Sequence, residues 1–204
     1  MSVSFLDKLY DVQGPASTRD LYDAWSQTYD DEVARHGYVT PGRCAEALAM
    51  YVDDQEKPIL DFGCGTGLSG LALKLRGFST IDGLDLSADM LDDAKRKRLY
   101  RNLCQTDGRT RLTHSPGDYA AIAAIGVIGV GAAPTLVLHN LMHGLAKGGK
   151  LVVSFNDHTL EDPSFEAGLN EWLDCGAATL LFKEYGPHLP GINLKANVYV
   201  IEKY

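Results

Sequence analysis

The chain has 204 residues, 45% of them apolar and 23% charged, enough for one sizeable α/β domain with little left over for a second. Its formal net charge of −8 argues against an extended nucleic-acid surface, which needs a basic excess; a local basic groove is untouched by that number. Four scattered cysteines with no C-x-x-C pattern read as reduced thiols rather than a disulfide frame or a zinc site.

The opening "MSVSFLDKLYDV" lacks the apolar core of a signal peptide. The longest apolar run, residues 119–138, is broken by glycine and proline, and parses as a buried strand, a turn and a helix start. The expectation is a cytoplasmic protein without a membrane span. Residues 18–36 predict a helix with Tyr22, Trp25, Tyr29 and Val33 on one stripe. Thr40-Pro41 is an N-cap followed by proline at the first helical position, opening a second helix through about Tyr51.

After a solvated loop, "PILDFG" is a short buried strand. Leu68, Leu71 and Leu75 mark one face of the next helix, which Gly77 closes. "STIDGLDL" is a second strand ending near Asp85. Ser87 caps the helix after it, with Asp92–Arg96 and Asp93–Lys97 as i,i+4 pairs. "NLCQTD" is a third strand, "YAAIAAIGV" a fourth, residues 132–147 a helix, and "KLVVSF" a fifth strand. "PSFEAGLNEWLDCG" is a helix from Pro163, with Gly176 past its end.

This alternation over residues 58–156 predicts a parallel doubly wound sheet. "ATLLFKEYG" and "KANVYVIEK" are also strands, but the segment between them holds Pro187, Pro190 and Gly191 and is too short for a parallel crossover. They predict an antiparallel hairpin. The fold class is therefore α/β: a Rossmann-like, mostly parallel seven-stranded sheet with an antiparallel C-terminal hairpin strand.

The stretch "ILDFGCGTGLSG" carries two overlapping fingerprints between a strand and a helix. From Gly65 it is G-x-G-x-x-G, the dinucleotide turn; from Gly63 it is D-x-G-x-G-x-G, with Asp61 ahead. A pyrophosphate at this helix N-terminus is opposed by the Asp61 carboxylate, whereas a ligand with a cationic amino group suits it. S-adenosylmethionine is such a ligand, with an ammonium and an adenosine and no phosphate. Asp85, at the end of the second strand, is placed to accept from both ribose hydroxyls, and serves either kind of ligand.

"ILDFGCGTG" resembles motif I of the class I S-adenosylmethionine-dependent methyltransferases, and "IDGLDLSADML" resembles their motif II. "LAKGGKLVVSF" is similar to the glycine turn before their fifth strand, and "YDAWSQTYDDEV" to their cap helix. More loosely, the layout resembles small Williams–Beuren-region-type methyltransferases. The sequence departs from the family at Ala120, where an acid is common, and in "GVIGVGAAP", which lacks an aromatic and a histidine.

The resemblance implies S-adenosyl-L-methionine as cofactor, with Gly63, Cys64, Gly65 and Gly67 around its methionine portion and Asp61 near its amino group. It implies Asp85 at the ribose, Leu86 and Met90 on the adenine, and Asp107 with the Gly108 backbone at the adenine amino group. Tyr22 and Tyr29 would close the cap. It also implies a single methyltransferase domain over 1–204, with cap helices in 1–57 and the cofactor-binding core in 58–204.

Methyl transfer needs alignment and exclusion of water, and a general base only where the acceptor must lose a proton. No catalytic residue is assigned. His158, after the fifth strand, is the one candidate base. His139 and His143 share a helix face, but no third ligand is evident, so no metal site is read. Small size and one cap helix favour a small-molecule substrate, with no nucleic acid and no membrane as partner. The oligomeric state is unreadable. The rival readings are a nicotinamide-dependent oxidoreductase using Gly65, Gly67 and Gly70, and an S-adenosylmethionine-binding protein without catalysis.

Overall fold

A computed structural model describes residues 14–107 and 114–204. Two helices come first, α1 (Pro15–Arg35) and α2 (Thr40–Ala49). Then β1 (Ile59–Phe62), α3 (Leu68–Leu75), β2 (Ile81–Asp85), α4 (Ala88–Lys97), β3 (Asn102–Gln105) and β4 (Ala121–Ala124) alternate. They are followed by α5 (Thr135–Gly144), β5 (Lys150–Asn156), α6 (Asp157–Leu160), α7 (Pro163–Asp174), β6 (Ala178–Leu189) and β7 (Leu194–Lys203).

The strands form one seven-stranded sheet in the order β3-β2-β1-β4-β5-β7-β6. β3, β2, β1, β4 and β5 run parallel, while β7 is antiparallel to both β5 and β6. Because side chains alternate across a strand, each buried strand feeds two cores. Leu60, Ile122, Leu151 and Val153 pack under α5 and α7, against Leu138, Leu141 and Phe165. Ile59, Ala121, Ala123 and Val152 pack on the other face, against Leu48 of α2 and Leu73 of α3.

Chain direction reverses its sideways progress between β1 and β4, which are hydrogen-bonded neighbours. In an open α/β sheet such a switch point leaves a crevice at the carboxyl ends of the strands, where ligands bind. α1 lies over it. Trp25 (1% exposed) packs with Val33 and Leu189 in a cluster distinct from the two sheet cores.

Three local expectations need correction. Pro187 is not in the hairpin turn: it lies within β6, opposite Lys195, and the turn is the 3-10 segment Pro190–Ile192. β6 is an edge strand, where a missing N–H is tolerated. The Asp92–Arg96 and Asp93–Lys97 pairs are not made; Arg96 pairs with Asp93 instead, and Lys97 reaches Asp30 of α1 at 2.7 Å. Packing of α1 on α4 offers Lys97 that partner along with the Thr66 carbonyl. The helix expected over 132–147 starts only after Pro134.

Ser87 caps α4 as expected, its hydroxyl accepting from the Met90 N–H at 3.1 Å. All four cysteines are free. No helix of the described residues is long and apolar enough to cross a membrane.

Candidate active site

β1 runs directly into the glycine turn, and α3 begins at Leu68 with Gly67 as its N-cap. Asp61 is wholly buried beneath that turn. One oxygen, Oδ2, accepts from the Ser69 hydroxyl at 2.6 Å and from the Tyr100 hydroxyl at 2.7 Å. The other, Oδ1, is buried with no partner among the described residues. Burial pushes the Asp61 carboxyl up to about 6, against the pull of those two donors.

Asp85 closes β2 on the opposite side of the turn. Its Oδ2 accepts from the Gly65 N–H at 2.7 Å and its Oδ1 from the Ser87 N–H at 2.9 Å, so it pins the turn to the start of α4. Its carboxyl is also raised, again mainly by burial.

The glycines have different tasks. A Cβ on Gly63 would lie 2.3 Å from Val127 Cγ2, so this position admits the close approach of the loop after β4. Gly65 has φ +52°, and no atom lies within 4 Å of where its Cβ would be; its bare backbone faces open space. Gly67 faces Ala94 and Tyr100 and does not line the cleft.

A cleft of about 840 Å³, counted to its open mouth, lies beside this turn. Gly63, Gly65, Asp85, Leu86 and Met90 line it from the core, and Tyr22 and Tyr29 line it from α1. Cys64 borders a smaller neighbouring space with Tyr38 and Pro41. Asp107 is exposed, one residue beyond Thr106, which does line the cleft. Gly108 lies outside the described residues.

α1 is tied across the cleft at three points. The Thr18 hydroxyl donates to the Gly131 carbonyl at 3.3 Å, the Ser87 hydroxyl donates to Asp23, and Asp30 accepts from the Thr66 hydroxyl while pairing with Lys97.

Asp61 yields a testable pH dependence. Its carboxyl titrates near 3.8 when unfolded and at about 6 when folded, so folding favours the proton-bound form. The stability this supplies is present below the unfolded value and is lost as pH rises through 6. Asp61→Asn removes the titration. The variant is therefore expected to gain about 2 kcal/mol on the native protein between pH 4 and pH 7. Urea unfolding at stepped pH measures this; parallel profiles for the two proteins would contradict it.

A second cavity, of about 610 Å³ counted to its open mouth, adjoins the first and shares Tyr22, Tyr29, Gly126 and Ala132 with it. It extends over the end of β5 to Ser154, Asn156 and, from the end of β6, His188. His158, the candidate base, does not line it. The sequence reading missed His188 and most of the loop after β4. That loop could have been found, since residues following β4 at the carboxyl edge must face the crevice. Trp172 Nε1 donates to His139 Nδ1 at 2.9 Å, and His143 lies edge-on to the same indole ring.

Comparison with known proteins identifies the architecture. Residues 59–149 match the family model of a methyltransferase domain. The chain is 33% identical over 133 residues to human methyltransferase-like protein 27, covering 63% of this chain and 54% of that protein. It is 33% identical over 118 residues to the Saccharomyces cerevisiae 18S rRNA (guanine(1575)-N(7))-methyltransferase, covering 51% and 43%. Residues 59–149 thus match a methyltransferase domain, and the matched relatives and the fold support a class I S-adenosylmethionine-dependent methyltransferase.

Two solved structures share the fold of this chain at low identity. The cyclase SpnF superposes with a TM-score of 0.71 at 15% identity, over 94% of this chain and 97% of that one. Magnesium protoporphyrin IX methyltransferase from Synechocystis PCC 6803, solved with bound SAH, gives 0.68 at 14% identity, over 94% and 100%. The chain spans about half the length of the human relative and less of the yeast one.

The site suits S-adenosylmethionine, the cofactor of the family. Asp61 Oδ1 is an orphaned acceptor beneath the turn, and the open face of Gly65 leaves room for close approach. Asp30, Asp61 and Asp85 surround the turn with carboxylates, which suits an ammonium and a ribose and opposes a pyrophosphate.

Proposed function

We propose that this chain transfers a methyl group from S-adenosylmethionine to a small, uncharged acceptor held in the second cavity. The observation that carries this is the junction of two cavities. One is lined by the glycine turn and Asp85; the other has no Asp, Glu, Lys or Arg among the described residues of its lining. A polyanion needs cations to bind it, and that lining offers none.

In this reading Asp85 accepts from the ribose hydroxyls, Leu86 and Met90 cover the adenine, and Asp61 faces the amino group. Asp107 and Gly108 serve the adenine amino group, and Gly63 and Gly65 shape the methionine end, with Cys64 and Gly67 completing the turn behind them. Bound there, the cofactor supplies a methyl group activated on a sulfonium. The chain's own residues orient the acceptor for in-line attack and exclude water, with Tyr22 and Tyr29 closing the junction. In such a transfer the methyl carbon would gain a bond to the acceptor's lone pair as it lost its bond to sulfur, the electron pair staying on sulfur and the acceptor's proton passing to solvent as the product leaves. Residues 1–57 act as the cap and 58–204 as the core of a single domain.

The yeast relative's name gives the competing reading, an RNA acceptor. Incubation of the protein with methyl-labelled S-adenosylmethionine and a cell extract separates them. Label is expected in the small-molecule fraction. Label in ribosomal RNA, with the small-molecule fraction blank, overturns the assignment.

A further inference from the structure

The second cavity is walled by aromatic rings. Trp25 stacks with Tyr22 at a centroid distance of 5.8 Å and an interplanar angle of 21°, and meets Tyr29 edge-on at 4.7 Å. Tyr38 meets His188 edge-on at 5.2 Å. The absence of a side chain at Gly126 lets the Tyr38 hydroxyl approach: a Cβ there would lie 2.7 Å from it. Such surfaces favour a flat ring, which gains from stacked and edge-on contacts at little entropic cost.

Two polar side chains at the end of β5 already have partners. Ser154 Oγ accepts from the Gly126 N–H at 2.9 Å. Asn156 Oδ1 accepts from both the N–H and the hydroxyl of Thr159.

His188 is different. Its Nδ1 is 2.8 Å from the Thr40 hydroxyl, and both side chains are buried. That contact fixes the ring and leaves Nε2 as its second hydrogen-bonding atom. Burial lowers the imidazole to about 4, with Arg43 and His158 lowering it further and Asp157 opposing them. It is neutral at working pH, suited to exchanging one hydrogen bond and too weakly basic to drive proton removal.

We propose that the second cavity binds a flat, uncharged aromatic molecule bearing a hydroxyl or ring N–H, and that His188 is the residue that selects for that polar group. This rests on the methyl-transfer reading above. It assigns the acceptor's class: an anionic ring would lose its water with no cation to replace it.

The test uses the full chain with the cofactor cleft filled by saturating S-adenosylhomocysteine. Titrations with 2-naphthol, naphthalene and 6-hydroxy-2-naphthoate follow, read by calorimetry and by quenching of tryptophan emission. 2-Naphthol is expected to bind about tenfold more tightly than either analogue. His188→Phe is expected to abolish the preference over naphthalene while leaving S-adenosylhomocysteine affinity unchanged, which also reports that the variant is folded. His188→Gln, which keeps a hydrogen-bonding group, is expected to restore part of the preference.

If naphthoate binds as well as 2-naphthol, or His188→Phe keeps the preference, the inference is overturned. If S-adenosylhomocysteine binds and none of the rings does, the acceptor class falls and the cofactor reading stands. If S-adenosylhomocysteine itself fails to bind, the methyl-transfer reading falls first.

Discussion

Replacing Trp25 with alanine is expected to accelerate amide exchange across residues 18–38 by about two to three orders of magnitude, with β5 unchanged. Trp25 is 1% exposed, stacks on Tyr22, meets Tyr29 edge-on, and donates its Nε1–H to Glu32 at 2.8 Å. Removing a buried tryptophan costs about 3–5 kcal/mol. Its cluster with Val33 and Leu189 is separate from both sheet cores, so the loss falls on the docking of α1 and not on the sheet.

The remaining ties of α1 are hydrogen bonds and one half-exposed ion pair, Asp30–Lys97, which offset little of that loss. Because Tyr22 and Tyr29 line both cavities, S-adenosylhomocysteine should slow the exchange again, in the native protein as in the variant. Hydrogen exchange by mass spectrometry measures both effects. Equal acceleration in β5 would mean that α1 and the sheet unfold as one unit, against a separately docked cap.

What the sequence made legible was local. Gly63, Gly65 and Asp85 were readable because a strand, a tight turn and a helix follow one another within "ILDFGCGTGLSG", and because the next strand must end beside that turn. Ser87 was readable because capping depends on the next three residues alone. The antiparallel β6–β7 pair followed from the length of its connection.

The second cavity was not legible, since it is assembled from distant parts. Thr40 and His188 lie 148 positions apart and meet only because the end of β6 folds back over α2. Nothing in "GPHLPG" distinguishes that histidine from a loop residue. The partner of Lys97 was misjudged for the same reason: i,i+4 spacing offered Asp93, but helix packing offered Asp30, together with the Thr66 carbonyl. Gly67 was readable as part of the turn, yet only packing shows that it faces Ala94 and not the cleft.

Asp85→Ala is expected to weaken cofactor binding by about one to two decades without unfolding the domain. In the proposed site its two oxygens each hold a backbone N–H and retain a second lone pair for a ribose hydroxyl. Losing a charged acceptor from two hydroxyls costs about 1.5–3 kcal/mol of binding. Stability should change little, because burial already disfavours this carboxylate and alanine removes that cost along with two hydrogen bonds. Asp85→Asn, which keeps one acceptor oxygen, should fall between the two.

The most direct measurement is a calorimetric titration of S-adenosylhomocysteine and, separately, NADH into the native chain and Asp85→Ala. The account predicts one S-adenosylhomocysteine site per chain, weakened by one to two decades (about 10- to 100-fold) in the variant, and no heat from NADH in either. NADH binding with no response to S-adenosylhomocysteine, or equal S-adenosylhomocysteine affinity in the two proteins, would contradict it.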